Sequence, residues 1–241
     1  MKVKKISFII SLFILTISPL KALGGIGVYG VSDKFVFPPT SDARFDGPAT
    51  EYWLHTESFE NAAGAGLFVY VDALPYIDIE GCAEIAGNIY PFSTTISLLN
   101  MESSHFESEG IWGRTSLFLT VRKDIFKIKI PILAKVKFYL GGGLNTHAVI
   151  PMVTWEMVEA AFIDEDNPYI LDFSDEATKE RLIEYVIENR IETSGFHIQT
   201  GLQLKLLFLN AFVNARYTFA KDVIPNENGF PSVWTGLSIG F

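Results

Sequence analysis

Cysteine and long apolar runs are both scarce in this sequence of 241 residues. The single cysteine, Cys82, excludes an internal disulfide, so the fold must hold without a covalent cross-link. The apolar run of residues 6–17 is shorter than the roughly 20 residues of a membrane-spanning helix. This run follows a basic start and precedes Ala22, a small residue suited to cleavage. Residues 1–22 are therefore predicted to be a secretory signal peptide, with a retained membrane anchor as the alternative.

Basic residues are also few, because 19 Lys and Arg stand against 28 Asp and Glu, and the formal net charge is −9. Cleavage of the signal peptide would remove four lysines and leave a mature charge of about −13. A nucleic-acid partner is therefore not expected. HExxH, GxSxG and clustered Cys/His motifs are absent as well, and the four histidines lie far apart in the sequence. We expect no cofactor, no metal and no catalytic residues.

Hydrophobic residues make up 49% of the chain, with 20 Phe, 9 Tyr and 4 Trp, yet no helical pattern dominates. The chain instead alternates with a period of two. In residues 232–241, for example, Val233, Leu237 and Ile239 fall on one side and Ser232 and Ser238 on the other. This alternation is typical of a β-strand with one apolar face.

Eight segments show this alternation, and short and long connections follow one another between them. The predicted strands are residues 25–37, 63–73, 76–89, 112–123, 128–144, 196–206, 209–219 and 232–241. Short links follow the second, fourth and sixth strands, the middle one near Asp124–Phe126, whereas the long links contain roughly 22, 20, 48 and 11 residues. In an up-and-down sheet, all short links then lie at one end.

The pattern predicts an all-β protein: a closed antiparallel up-and-down transmembrane barrel of eight strands with a long, partly helical outer loop. Strands of about 10 to 13 residues, tilted about 45°, rise about 25 to 30 Å, which matches the apolar band of an outer membrane. The boundary in residues 85–99 leaves ten strands as the alternative, because a turn and a further strand would also fit there. Residues 23–241 are predicted to form this barrel domain.

The chain resembles the small outer-membrane β-barrel proteins, a group that includes outer-membrane proteins A, X and W. The most specific feature is the ending, in which Gly236, Ile239 and Phe241 stand where members have a glycine, a hydrophobic residue and a final aromatic. Trp234 departs from the pattern, since a polar residue is usual there. The resemblance implies insertion in the bacterial outer membrane, contact with its lipid, and recognition of this ending by the outer-membrane assembly machinery.

With the apolar faces turned to lipid, the other faces would bring charges of both signs into the barrel. The predicted interior network is Asp72, Asp78, Glu80, Glu84, Arg114, Arg122, Lys129, Lys135, Lys137, Lys205 and Arg216. An eight-stranded barrel is only wide enough for side chains to fill, so these groups are expected to form a polar plug. A narrow pore for ions or small solutes is the first alternative. A soluble, lipocalin-like binding barrel with its apolar face inward is the second.

The longest predicted loop, residues 146–193, is strongly acidic and has helical periodicity in two places. Leu182, Tyr185 and Val186 repeat at helical spacing after a capping Ser174 or Asp175. Residues 152–162 are predicted to form a second short helix, with Trp155, Val158 and Phe162 on one side. Such a loop is a candidate site for a surface ligand or protein. The sequence therefore favours a structural or surface-interaction role.

Two short stretches offer weaker chemistry. Residues 103–109, SSHFESE, contain Ser104, His105 and carboxylates that a lipid-modifying envelope enzyme could use, although adjacent residues seldom reach triad geometry. Residues 164–168, DEDNP, bring oxygen ligands together but lack the glycine and the distant glutamate of an EF-hand loop. A solvated acidic turn is the simpler interpretation of that stretch.

Overall fold

The computed structural model describes residues 24–46, 50–72, 76–98, 103–130, 134–162 and 176–241. The strands are β1 (Gly24–Phe37), β2 (Thr40–Asp46), β3 (Thr50–Thr56), β4 (Phe59–Val71), β5 (Asp78–Leu98), β6 (Ser104–Ile130), β7 (Ala134–Ile150), β8 (Ile191–Leu206), β9 (Leu209–Phe219) and β10 (Gly229–Gly240). Two helices, α1 (Trp155–Phe162) and α2 (Glu176–Asn189), lie between β7 and β8. The predicted signal peptide and the DEDNP stretch lie outside the described residues.

Eight of the strands close into a ring. The order is β1, β4, β5, β6, β7, β8, β9 and β10, with every pair antiparallel, and β10 returns to β1. β2 and β3 extend the same sheet outside the ring. The prediction of an eight-stranded barrel is therefore confirmed, and the ten-stranded alternative is wrong because β5 runs unbroken through residues 85–98.

The outer surface of the ring is apolar, whereas the inner surface combines aromatic side chains with polar and charged ones. On β10, Leu237 and Ile239 are exposed, whereas Ser232, Trp234 and Ser238 are buried. The same alternation holds around the ring, which is the reverse of the inward apolar face of a soluble ligand-binding barrel. At about 3.3 Å per residue and a tilt of about 40°, the segment 79–89 of β5 rises about 25 Å, the height of an outer-membrane apolar band.

Exposed aromatic side chains lie near both ends of the band. Phe196 and Phe219 stack on neighbouring strands, with ring centroids 4.6 Å apart, and Tyr217 adjoins Phe219 at 4.8 Å. Near the opposite end, Phe208 and Phe241 are exposed. Aromatic side chains at the two lipid–water interfaces are typical of membrane barrels.

The end with the short turns differs from its prediction at one place. No turn lies at Asp124–Phe126; the register there shifts by one residue, and β6 continues to Ile130 before the chain returns in β7. The shift is a β-bulge, which bends a strand without ending it. Lys129 therefore belongs to β6, two strand positions nearer the hairpin tip than Lys127.

The barrel wall continues beyond the apolar band at the other end. β2 pairs with β3, β3 pairs with residues 92–98 of β5, and residues 104–110 of β6 pair with β5. Two of the predicted long loops are thus mostly extended strands, which form a four-stranded outer sheet. Pro38 and Pro39 separate β1 from β2, since proline cannot donate to a strand ladder.

The third long connection spans residues 151–190 rather than 146–193, because β7 and β8 extend further than their sequence patterns indicate. It contains both helices, in the two places where helical periodicity was found. The buried side chains of Trp155 and Val158 in α1 form a cluster with Leu54 and Phe92 of the outer sheet, and Leu182 of α2 packs against it. Within the described residues, neither helix is long and apolar enough to cross a membrane.

Candidate functional site

The first layer of charges inside the barrel is built around Glu84, on β5. Its carboxylate accepts hydrogen bonds from the Tyr29 hydroxyl at 2.5 Å, from Arg114 Nη2 at 2.7 Å and from Arg216 Nη2 at 2.5 Å. The three partners come from three different strands. They can reach Glu84 because each occupies an inward position at the same height of the barrel. The charged side chains are almost fully shielded from solvent. We call Asp33, Glu84, Arg114 and Arg216 the upper layer.

Asp33 completes this layer, although the sequence analysis did not assign it. Arg114 donates to both of its carboxylate oxygens at 2.8 Å, in a two-pronged contact that suits a planar guanidinium. Arg114 Nη1 also donates to the Ser116 hydroxyl at 2.5 Å, and that oxygen lies 2.7 Å from His147 Nδ1. Asp33 was missed because the alternation of β1 is weak, but its spacing of two from Val31 and four from Tyr29 places it on the inward face.

A second group of charges lies towards the short-turn end. Arg122 Nη1 donates to Glu80 at 2.8 Å, and Gln199 donates to the other oxygen of Glu80 at 2.8 Å. Lys137 Nζ contacts Asp72 and Asp78, each at 3.0 Å. We call Asp72, Asp78, Glu80, Arg122 and Lys137 the lower layer. The side chains of Asp72 and Asp78 are slightly more open to solvent than the carboxylates of the upper layer, whereas Glu80 is fully shielded.

Aromatic rings fill the space around the two layers. The guanidinium carbon of Arg216 lies 3.6 Å from the ring centroid of Phe118, and that of Arg122 lies 4.7 Å from the centroid of Tyr139. Trp234 is fully buried and contacts Tyr29, with ring centroids 4.7 Å apart. Cations above aromatic faces are stabilised by the ring quadrupole. The period-two alternation of the sequence places these rings on the inward face together with the charges.

Three of the predicted interior lysines lie outside both layers. Lys135 and Lys205 are half-buried and directly opposite each other on β7 and β8. Lys129 is opposite Lys135 on β6 but is exposed, which corrects its predicted place in the interior. The cause is the continuation of β6 past the predicted turn, since it carries Lys129 towards the tip of the hairpin. The three lysines form a basic edge at the short-turn end.

The wall formed by β8 to β10 contains polar atoms that other described groups do not satisfy. His197 Nδ1, Asn210 Nδ2, Asn214 Nδ2 and Ser232 Oγ are buried without a hydrogen-bond partner among the described residues. Unpaired buried polar groups are costly, so each one requires an explanation. Buried polar atoms without a partner among the described residues also occur on the opposite wall, for example Arg122 Nε and Asn145 Nδ2, although Arg114, Arg122 and Lys137 are paired with carboxylates there.

The three residues of the predicted assembly signal lie on the last strand in two different settings. Gly236 is opposite Tyr29 and Phe212, and a Cβ atom there would be 2.7 Å from the Cβ of Tyr29, so only glycine fits. Ile239 and Phe241 are exposed on the apolar outer surface. Phe241 N donates to the Gly24 carbonyl at 3.0 Å, which joins the two ends of the ring.

Most of the SSHFESE stretch lies in β6 of the outer sheet, where His105, Glu107 and Glu109 face outward. The two ring nitrogens of His105 lie 3.0 Å from the Thr95 hydroxyl and 3.3 Å from a Glu107 oxygen, while Ser103 contacts Ser97. A serine nucleophile needs a histidine within hydrogen-bond reach, and His105 contacts none among these serines. The described residues also contain no group of three His, Cys, Asp or Glu that could hold a metal.

Helix α1 is attached to the outer sheet by Arg44 of β2. Its Nη1 donates to Glu159 at 3.0 Å, and its Nη2 contacts Glu156. The Glu156 carboxylate accepts hydrogen bonds from its own backbone N–H, from the Thr154 hydroxyl and from Arg44. These bonds lower the pKa of the Glu156 carboxyl. The acidic helix is thus held by a cation that the sequence analysis had not assigned to it.

Neither protein-family models nor curated sequences match this chain. Solved structures similar to it include Ail of Yersinia pestis, in complex with the heparin analogue sucrose octasulfate, at 8% identity and a TM-score of 0.42, over 91% of this chain and 99% of that one. Neisserial surface protein A has 8% identity and a TM-score of 0.42, over 90% of this chain and 97% of that one. The N-terminal β-barrel domain of Pseudomonas aeruginosa OprF has 9% identity and a TM-score of 0.34, over 90% of this chain and 99% of that one. All three are small bacterial outer-membrane barrels, the group that the sequence resembles.

Proposed function

We propose that the protein is a plugged outer-membrane barrel that supports a surface-exposed platform. The platform is the outer sheet together with α1 and α2. Its role is structural or interactive rather than catalytic or conductive. The barrel supplies a rigid, lipid-anchored base, and the plug keeps the membrane sealed beneath the platform.

The observation that carries this proposal is the upper layer. Two carboxylates and two guanidinium groups, Asp33, Glu84, Arg114 and Arg216, bridge the lumen from β1, β5, β6 and β9 with side chains almost fully shielded from solvent. Networks of this kind hold their members in one arrangement, because an unpaired member in a low dielectric is costly. Trp234 and Phe212 fill the lumen beside it.

Planar bilayer recordings test the plug. The mature protein, shown to be folded by a heat-dependent shift in gel mobility, is expected to give no conductance steps. Lys137→Gln, which alters only the lower layer, is expected to give none either, since the upper layer remains. Steps from the wild-type protein that change in size with Lys137→Gln would overturn the plug and establish a pore.

A narrow pore is the second candidate, and one observation favours it. The polar atoms without partners on the β8 to β10 wall, such as His197 Nδ1 and Asn214 Nδ2, require hydration. A single file of water along this wall would satisfy them and pass beside the two layers. Ion selectivity that changes with Asn214→Leu would support this candidate.

The ending of the chain is proposed to act in assembly. Gly236 fits against Tyr29, while Ile239 and Phe241 present apolar side chains on an outer surface that an assembly factor can reach. Deletion of Phe241 is expected to lower the folded fraction in cells, yet to leave refolding in detergent nearly unchanged. Val233→Ala, which removes an exposed apolar group elsewhere on β10, is the control. Equal loss in both variants would contradict a specific signal.

A surface ligand is proposed for the region of α1 and α2, but its charge argues against a polyanion such as the sulfated compound found with the Yersinia protein. Glu180, Glu184 and Glu188 are exposed on α2, and Glu156 and Glu159 on α1. A basic or neutral partner is the better electrostatic match. Binding that weakens with added salt, and with Glu184→Gln, would support a basic partner.

A further inference from the structure

A groove of about 410 Å³ opens at the outer rim of the barrel, between α2 and β6. β6 pairs with β7 only as far as Gly113, opposite Ile150, so the described part of β6 beyond that point has β5 as its one strand neighbour. Helix α2 lies beside this edge. Ile111, Ile150, Met157, Leu182, Ile183 and Ile187 supply most of the apolar wall of the groove.

Helix α2 has more apolar surface than the protein covers. Leu182 packs towards the inner cluster with Trp155 and Val158. Ile183 and Ile187, one turn apart on the same side, line the groove but are 59% and 57% exposed. Glu184 and Glu188 lie on the far side of the helix and are exposed. An amphipathic helix of this kind presents a second apolar stripe that remains uncovered.

The groove is continuous with the lipid-facing surface of the barrel. Ile111 belongs both to its wall and to the outward apolar row, where it is paired with Ile89. Beyond this pair, the outward positions of β6 are Glu109 and Glu107, and those of β5 are Pro91 and then Ser93. The groove therefore begins at the level where the lipid band ends.

We propose that this groove binds an acyl chain of an outer-leaflet lipid, so that α2 rests on the membrane surface. The shared Ile111 allows a chain to pass from the bilayer into the groove without crossing water. Burial of the two exposed isoleucines is favourable because it removes apolar surface from water. The volume also falls in the range of pockets that hold small apolar ligands. This site is independent of the plug.

Quenching of a fluorophore by brominated lipid tests the proposal. In a Cys82→Ser background, the full mature chain carries a bimane label at Ile183→Cys or Ile187→Cys and is placed in phosphatidylcholine vesicles with dibrominated acyl chains. Leu117→Cys, on the lipid-facing wall, and Glu184→Cys, on the polar side of α2, are the matched controls. A heat-dependent mobility shift verifies that each variant is folded.

We expect quenching at Ile183 and Ile187 to be close to that at Leu117 and at least about threefold stronger than at Glu184. If aqueous iodide quenches the labels at Ile183 and Ile187 as strongly as the label at Glu184, the proposal is overturned, because the groove would then hold water. Protection from both quenchers would also overturn it and indicate a protein cover. If iodide then reaches the two labels in vesicles that each contain one copy of the protein, the cover is a second copy.

Discussion

The two halves of β5 lie in one continuous strand but show opposite patterns. From Ile79 to Ile89, the outward positions are apolar and the inward positions include Glu80 and Glu84. From Phe92 to Ile96, the apolar side chains of Phe92 and Ile96 face inward together with Thr94, and Ser93 and Thr95 face outward. The strand keeps its period of two, while the assignment of apolar residues to the two faces is reversed.

The reversal follows from the solvent on each side of the wall. In the lower half, lipid lies outside, so apolar groups face outward and polar groups must pair within the lumen. In the upper half, water lies outside, and the inward face packs against α1 through Phe92. The change falls between Ile89 and Ser93, which marks the outer boundary of the lipid band.

The largest effect is expected from breaking the polar interior of the lower half. Glu84→Gln preserves shape but removes the only carboxylate that pairs with Arg216 among the described residues. Loss of one partner from a buried ion pair typically costs about 3 to 5 kcal/mol, since the other charge remains without compensation. Urea unfolding of the detergent-refolded barrel, followed by gel mobility, measures this loss.

A second substitution separates the lost charge from lost shape. Glu84→Gln with Arg216→Gln removes both charges, and we expect it to recover part of the stability of the single variant. A double variant that is less stable than Glu84→Gln by the full cost of a second independent substitution would argue against the pair. In that case, Arg216 would be stabilised mainly by Phe118.

The next effect is expected on the lipid side of the same half. Ile85→Arg puts a cation near the middle of the apolar band and should cost about 2 to 4 kcal/mol, whereas the same change at Thr95, above the band, should cost little. The matched pair locates the boundary, because both residues face outward on one strand. Equal costs in liposome-refolded protein would place Thr95 in lipid or Ile85 in water.

A smaller effect on the barrel is expected from the apolar cluster of the upper half. Phe92→Ala opens a cavity between the outer sheet and α1, so the contact with Trp155 and Val158 should weaken. We expect faster proteolysis in residues 151–190 but an unchanged urea midpoint for the barrel. Ser93→Ala, its outward neighbour, is the control. A large shift of the barrel midpoint would show that the platform and the ring unfold together.

Much of the ring was predictable, because period-two alternation is clear wherever each face of a strand has the same surroundings along its whole length. The eight strands and the inward places of Glu80, Glu84 and Arg114 follow from that alone. The outer parts of β5 and β6 were harder, since a search for apolar residues on the outward face stops at Ile89. The same reversal explains why the β2–β3 hairpin falls within a predicted loop.

Two further errors have local causes. The turn predicted at Asp124–Phe126 is a bulge, and no Gly or Pro stands there to end a strand. The stronger signal was Pro131, inside the predicted fifth strand, because proline is poorly tolerated in the interior of a sheet. Asp33 was not predicted because the alternation of β1 is weak and because contacts across the lumen cannot be read from one strand.

The smallest effect is expected at the acidic helix, where the pair lies in water. Arg44→Ala removes the contacts with Glu156 and Glu159, and solvent-exposed pairs contribute little to global stability. We expect an unchanged barrel and faster hydrogen exchange in α1, with Ser41→Ala as the control on the same strand.

The pH dependence of this contact has a definite sign. The pKa of Glu156 is lowered in the folded protein, so its contribution is present above the ordinary glutamate range and is lost as the pH falls through the folded value. Acid should therefore lower the protection factors in α1 of the wild type, each taken relative to the intrinsic exchange rate at the same pH, towards those of Arg44→Ala, which should themselves change little. If acid leaves the wild-type protection factors unchanged, the helix is held by the buried Trp155 and Val158 rather than by charge.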